Sequence, residues 1–166
     1  MNDIGTRTRT SRETRNREYS PYGLLLLMAV LSFISMYVLM YAMVDQFANV
    51  YPNLNQVYMA ALMTAPMVLI ELALMRAMYP SGKLNVAIVA GSLAALAACF
   101  ILIRQQTAIG DSQFLRSMIP HHAGAILMCG KAPIQDPEIK QLCGLIIESQ
   151  QREIDQMKAI LGRLEK

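Results

Sequence analysis

The stretch FLRSMIPHHAGAILMCG (residues 114–130) holds both histidines of the 166-residue chain, His121 and His122, side by side. On a helix Met118 lies about one turn before them, and Met128 and Cys129 about two turns after. Thioether, thiolate and imidazole are the ligands that soft ions such as Cu(I) prefer, whereas Mg²⁺ and Ca²⁺ want oxygen. The same side chains also suit a helix core, because methionine fills irregular gaps and a histidine is commonly held by hydrogen bonds. Spacing alone leaves both readings open.

Downstream of this stretch the punctuation is clear. Asp111 follows Gly110 and predicts a helix start, so a first helix is expected over residues 112–131, bent or begun at Pro120. The turn KAPIQDPE offers Asp136 as an N-cap and Pro137 at the first helical position of a second helix reaching almost to Lys166. Residues 111–166 therefore read as an antiparallel helical hairpin. The expected seams are Leu115, Met118, His122, Ala125, Ile126 and Cys129 on the first helix, and Ile139, Leu142, Ile146, Ile154, Met157, Leu161 and Leu164 on the second. Folding about the turn is expected to set Cys143 level with Ala125 and Gln150 level with Met118. That leaves Cys129 and Cys143 about one turn apart, beyond comfortable bridging. Two helices bury too little apolar surface to stand alone, so either a second copy or the membrane helices must cover them.

Upstream, the chain is 54% hydrophobic, and three apolar runs, at residues 22–44, 57–79 and 84–103, have the roughly 20 residues that crossing a bilayer needs. The fold class is thus all-α: a basic tail (1–21), three transmembrane helices (22–103) and the hairpin. The tail carries Arg7, Arg9, Arg12, Arg15 and Arg17, the first loop has no Lys or Arg, and Arg76 and Lys83 bracket the second loop. The positive-inside rule then puts the N-terminus in the cytoplasm and, after three crossings of the cell membrane, the hairpin outside. The first run exceeds a signal-peptide core and lacks a small-residue cleavage site, so it reads as a retained helix. A net charge of +3 concentrated in the tail at the membrane face reflects lipid and topology rather than nucleic acid. Met36, Met40 and Met43 in the first run and Met59, Met63 and Met67 in the second fall in the halves nearest the hairpin, where they either extend a soft-ion site or pack. Glu71 inside the second run requires neutralisation or a partner, expected among Ser35, Tyr37 and Tyr41. No third group orients a Cys–His pair for nucleophilic catalysis, so no enzyme is read here.

The hairpin resembles the family known as domain of unknown function 305, a ferritin-like helical group. The resemblance rests on Met118, His121, His122, Ala125 and Met128, which fit a Met-x-x-His-His-x-x-Ala-x-x-Met helix. In the second helix it rests on Asp136, Pro137, Ile139 and Lys140, then Ile146, Ile147 and Gln150, then Glu153, Ile154 and Met157. It covers about the last third of the chain. Some members of that family bind copper or silver outside the cytoplasm and take part in copper resistance. The resemblance therefore implies a Cu(I) site formed by His121 and His122 with Met118 and Met128, completed by Met157 or by Cys129 or Cys143. This chain has a single hairpin, so pairing with a second copy is one route to a complete site. The expected function is binding of a soft ion for sequestration, resistance or exchange with a metal donor or acceptor protein. The alternatives are a hairpin that only mediates dimerisation, or a small transporter using Glu71 and the methionine-bearing helices.

The topology is directly testable. A cysteine introduced by Lys166→Cys should react with a membrane-impermeant maleimide in intact cells, and reaction only after lysis would reverse the orientation.

Overall fold

The computed structural model describes residues 20–166, which form five α-helices and no strand. The Arg-rich tail expected over residues 1–21 lies almost wholly outside the described residues. The helices are α1 (Pro21–Leu39), α2 (Leu54–Leu74), α3 (Gly82–Gln105), α4 (Asp111–Lys131) and α5 (Pro137–Leu164). Three segments are long and apolar enough to cross a membrane: Pro21–Met43, which joins α1 to a 3₁₀ turn at Met40–Met43, then Leu54–Leu74 and Gly82–Gln105.

The span ends differ from the expected ones because caps and prolines set them. Pro21 opens α1. Helix α2 starts at Leu54, three residues earlier than its apolar run, because the Asn53 side chain accepts the Gln56 amide at 3.0 Å. It ends at Leu74, and a 3₁₀ turn (Arg76–Met78) leads to Tyr79 and Pro80. Ser81 caps α3. Helix α4 begins at Asp111 itself, with Gly110 in the cap position where Asp111 was expected. Asp136 caps α5 as its sequence predicts, accepting the Ile139 amide at 3.0 Å.

Among the three apolar helices, α2 packs against both α1 and α3. At one end Tyr22 stacks near Tyr79 and donates to Asn85 Oδ1 at 2.9 Å, joining α1 to α3. At this same end Glu71 accepts a bond from Tyr79 at 3.3 Å, which corrects the expected partners Ser35, Tyr37 and Tyr41. The reason is antiparallel packing: Tyr37 and Tyr41 lie toward the end of α1 that meets the start of α2, whereas Glu71 is near the end of α2.

Helices α4 and α5 form the hairpin. Its core is Leu115, Ile119, Ala123, Ile154, Met157 and Leu161, with Ile119 and Ile154 at 0% exposure. This corrects the expected seams: Ile119 and Ala123 take the central places, while Ile139, Leu142 and Leu164 are exposed. The cause is that α4 is buried on two faces. One meets α5, and the other meets the segment between α1 and α2, from which Val44 and Tyr51 pack against the hairpin core. Cover for the hairpin thus comes from the chain's own α1–α2 segment, which sets hairpin and first loop at the same end of the three apolar helices.

Polar bonds hold that docking. Pro120 sits inside α4 without an amide hydrogen, so the Arg116 carbonyl has no helical donor; Asn53 Nδ2 supplies one at 3.4 Å. Gln113 Oε1 accepts the Leu54 amide at 3.0 Å, filling one of the unsatisfied donors at the start of α2. Asn55 reaches Ser117 at 3.3 Å and exchanges bonds with Gln106 at 3.0 and 3.2 Å. Gln106 and Ala108, in the α3–α4 turn, have φ of 50° and 60°, a left-handed conformation sustained by these bonds and by Tyr58, which donates to Thr107 O at 3.1 Å.

Asn53 Oδ1 caps α2, while its Nδ2 donates both to the Tyr51 carbonyl at 2.9 Å and to the Arg116 carbonyl, and one substitution separates the cap from the two donations. Asn53→Asp keeps the cap acceptor for Gln56 but replaces the donor to Tyr51 and Arg116 with a carboxylate oxygen. We expect a loss of about 1–3 kcal/mol in a melt in detergent, together with faster proteolysis of the α3–α4 turn. Melting unchanged from wild type would mean that the Asn53 donations to Tyr51 and Arg116 do not hold the hairpin in place.

Candidate metal centre

Consecutive helical residues point about 100° apart, and the structure separates the two histidines accordingly. Their ring centroids are 6.1 Å apart and their planes differ by 59°. His121 belongs to a stripe with Met118, Gly124, Ala125 and Met128 that faces the membrane-helix ends. His122 turns toward α5, where its Nδ1 lies 3.0 Å from Glu153 Oε2. That short separation lacks hydrogen-bond geometry, and Nδ1 is buried without a bonded partner, so the contact is electrostatic only.

The His121 stripe forms one wall of a cavity of about 520 Å³. The opposite wall is Met40, Met43 and Val44 from the end of the first span and Asn53, Asn55, Gln56 and Met59 from the start of α2. Gly124 permits the approach: a Cβ there would stand 3.4 Å from the Met43 carbonyl oxygen, so alanine just fits and anything larger forces the walls apart. The cavity is open to the surface, where His121, Met43, Met59 and Met128 are exposed.

Five methionines and His121 therefore line a single space. Among the described residues no three His, Cys, Asp or Glu side chains come together in a metal-holding group. The donors on offer are thioether, imidazole and amide oxygen, a set suited to a soft monovalent ion and poor for hard divalent ones. Met118, His121 and Met128 stand in the cavity wall. His122 and Met157 do not: His122 lies against Glu153, and Met157 is part of the hydrophobic core.

The cysteines correct the expected register. Cys129 and Cys143 form a disulfide with Cα atoms 5.1 Å apart, so Cys143 is level with Cys129 rather than with Ala125, one helical turn from its expected place. Gln150 is correspondingly level with His122 and not with Met118. In this oxidised state neither cysteine offers a thiolate. The membrane-side methionines were legible as stripes nearest the hairpin; the amide wall of Asn53, Asn55 and Gln56 carried no such signal, because loop asparagines are ordinarily turn formers.

The family described as "Domain of unknown function (DUF305)" matches residues 94–161. An uncharacterized protein of Acanthamoeba polyphaga mimivirus is 35% identical over 142 residues, 84% of this chain and 91% of that protein. The chain belongs to the DUF305 family. The viral relative's alignment is longer than the family match, so the likeness extends from the DUF305 region into the membrane helices. No solved structure matches.

Burial pushes the His122 imidazole below its ordinary value; Glu153 opposes this in part, and His121 reinforces it. The unfolded chain then binds the proton more readily than the folded one. His122 stability is therefore fully present above about pH 6.5 and is lost as the pH falls from there toward the lowered folded value. In melts from about pH 8 to about pH 5, wild type should lose more stability than His122→Gln. Parallel losses in the two proteins would show that the ring does not titrate differently on folding.

Proposed function

We propose that this protein is a membrane-anchored binder of Cu(I) or a similarly soft ion, which it sequesters or exchanges with donor or acceptor proteins. The ion sits between His121, Met118 and Met128 of α4 and Met40, Met43 and Met59 across the cavity. The observation that carries this reading is the donor set: five of the chain's thirteen methionines line the space that also holds His121. Core packing explains a methionine inside the hairpin such as Met157. It explains less well why thioethers from three separate elements gather in an open cavity beside an exposed imidazole.

Thioethers are neutral and do not compete for protons, so they hold a soft ion without releasing any. The Arg-rich tail, Arg76 and Lys83 assign the opposite face of the membrane to the cytoplasm, so the cavity opens outside it. The family resemblance supports the same ion and the same face. Binding accounts for these residues, and none of them is assigned a catalytic step.

Ag(I) is a redox-stable probe of such a site and leaves the disulfide intact. Titration of the full-length protein in detergent should give one equivalent. His121→Ala should weaken it by about tenfold or more, since even an outer-shell partner of a metal ligand is worth that much. Met118→Leu should weaken it while preserving packing, and His122→Ala should leave it unchanged. Equal affinity in wild type, His121→Ala and Met118→Leu would reduce the cavity to a packing defect between hairpin and membrane helices.

A further inference from the structure

The disulfide lies at the tip of the hairpin, beside the turn. Cys129 directly follows Met128, whose side chain lines the cavity. Both cysteines are partly exposed, and Met128, Leu142 and Leu145 around them are exposed as well, so a small reductant can reach the sulfurs. The tip is also not where the hairpin gains its cohesion. The buried core around Ile119 and Ile154 and the Arg116–Glu165 ion pair at 2.6 Å hold the helices together nearer the membrane.

A disulfide sulfur is a poor ligand, and two thiols are good ones. A small dithiol converts one into the other by exchange. Its thiolate attacks one sulfur to form a mixed disulfide, and its second thiol displaces the remaining bond. Two electrons and two protons then rest on Cys129 and Cys143, and the reductant leaves as its own disulfide. The Cα separation of 5.1 Å keeps both side chains within reach of one ion after rotation about their Cα–Cβ bonds. Loss of the two thiol protons lets both sulfurs bind a monovalent soft ion as thiolates.

We propose that Cys129 and Cys143 form a redox-gated second site for a soft monovalent ion, closed as the disulfide and open as the dithiol, adjacent to the methionine cavity but independent of its ligands. The site shares only the ion class with the function proposed above. Its gate changes the binding capacity of the hairpin tip without altering the thioether cavity.

The test counts Ag(I) bound to the full-length protein in detergent, in a Cys99→Ala background that removes the free thiol of α3. The oxidised protein is compared with protein reduced by dithiothreitol and freed of it by gel filtration. Reduction should add one equivalent, and the double variant Cys129→Ser, Cys143→Ser should lack that increment. His121→Ala should remove only the equivalent present in the oxidised state. If the cavity binds nothing, the count should still rise from zero to one on reduction, which separates the two proposals. A second readout needs no change at the pair: Ag(I) should protect Cys129 and Cys143 of the reduced protein from alkylation, read by peptide mass. An unchanged count on reduction, an increment that survives in the serine variant, or equal alkylation with and without Ag(I) would overturn the proposal.

Discussion

Pro120 has no amide hydrogen to give Arg116, and the carbonyl left over must find its donor outside α4. It finds Asn53, the residue whose other side-chain atom caps α2. One buried side chain, 4% exposed, thereby ties the start of a membrane helix to the middle of the hairpin. A buried polar group without a partner costs about 1–3 kcal/mol, so the proline and the asparagine hold each other's positions. The rest of the docking follows from that register: Gln113 falls over the Leu54 amide, Val44 and Tyr51 close the hairpin core, and Gly124 comes down on the Met43 carbonyl. The methionine cavity is the space left between walls fixed in this way.

What the sequence made legible was local. Apolar length marked three spans, and Asp136 with Pro137 marked the start of α5, because caps and hydrocarbon thickness act on neighbouring residues. Register was not legible. The turn between α4 and α5 allows helical pairings that differ by one turn, and the expected one set Cys143 beside Ala125 when it faces Cys129. Periodicity also misled on α4. A helix buried on two faces shows no single stripe, so Ile119 and Ala123 were passed over, while Met118, which was expected in the seam, packs against the hairpin core and also lines the cavity. Reading His121 and His122 as one unit had the same origin, since adjacency in sequence is a wide angle on a helix.

That angle divides the histidine pair into two environments. His122 faces the hairpin interior, where burial favours its neutral form and Glu153 stands close without a hydrogen bond. His121 faces an open cavity and owes nothing to the hairpin core. Thioethers supply what a single imidazole lacks. They are flexible enough to converge from different elements, and their neutrality suits a position at the edge of a bilayer, where thiolates or carboxylates would carry a desolvation cost.

An ion held in such a cavity would act on the fold as well as occupy it. Its ligands come from the end of the first span, the start of α2 and the exposed stripe of α4, which are the surfaces that part if the hairpin lifts away. A ligand that binds only the docked form stabilises it by an amount that grows with concentration, about 2.7 kcal/mol at a hundredfold excess over the dissociation constant. That is comparable to the Asn53–Arg116 contact at the upper end of its range. On the proposed function, soft-ion occupancy and hairpin docking form one coupled equilibrium. Anything that loosens the docking, including bulk at Gly124 or loss of the Asn53 donor, should weaken the ion's hold even though neither residue offers it a sulfur.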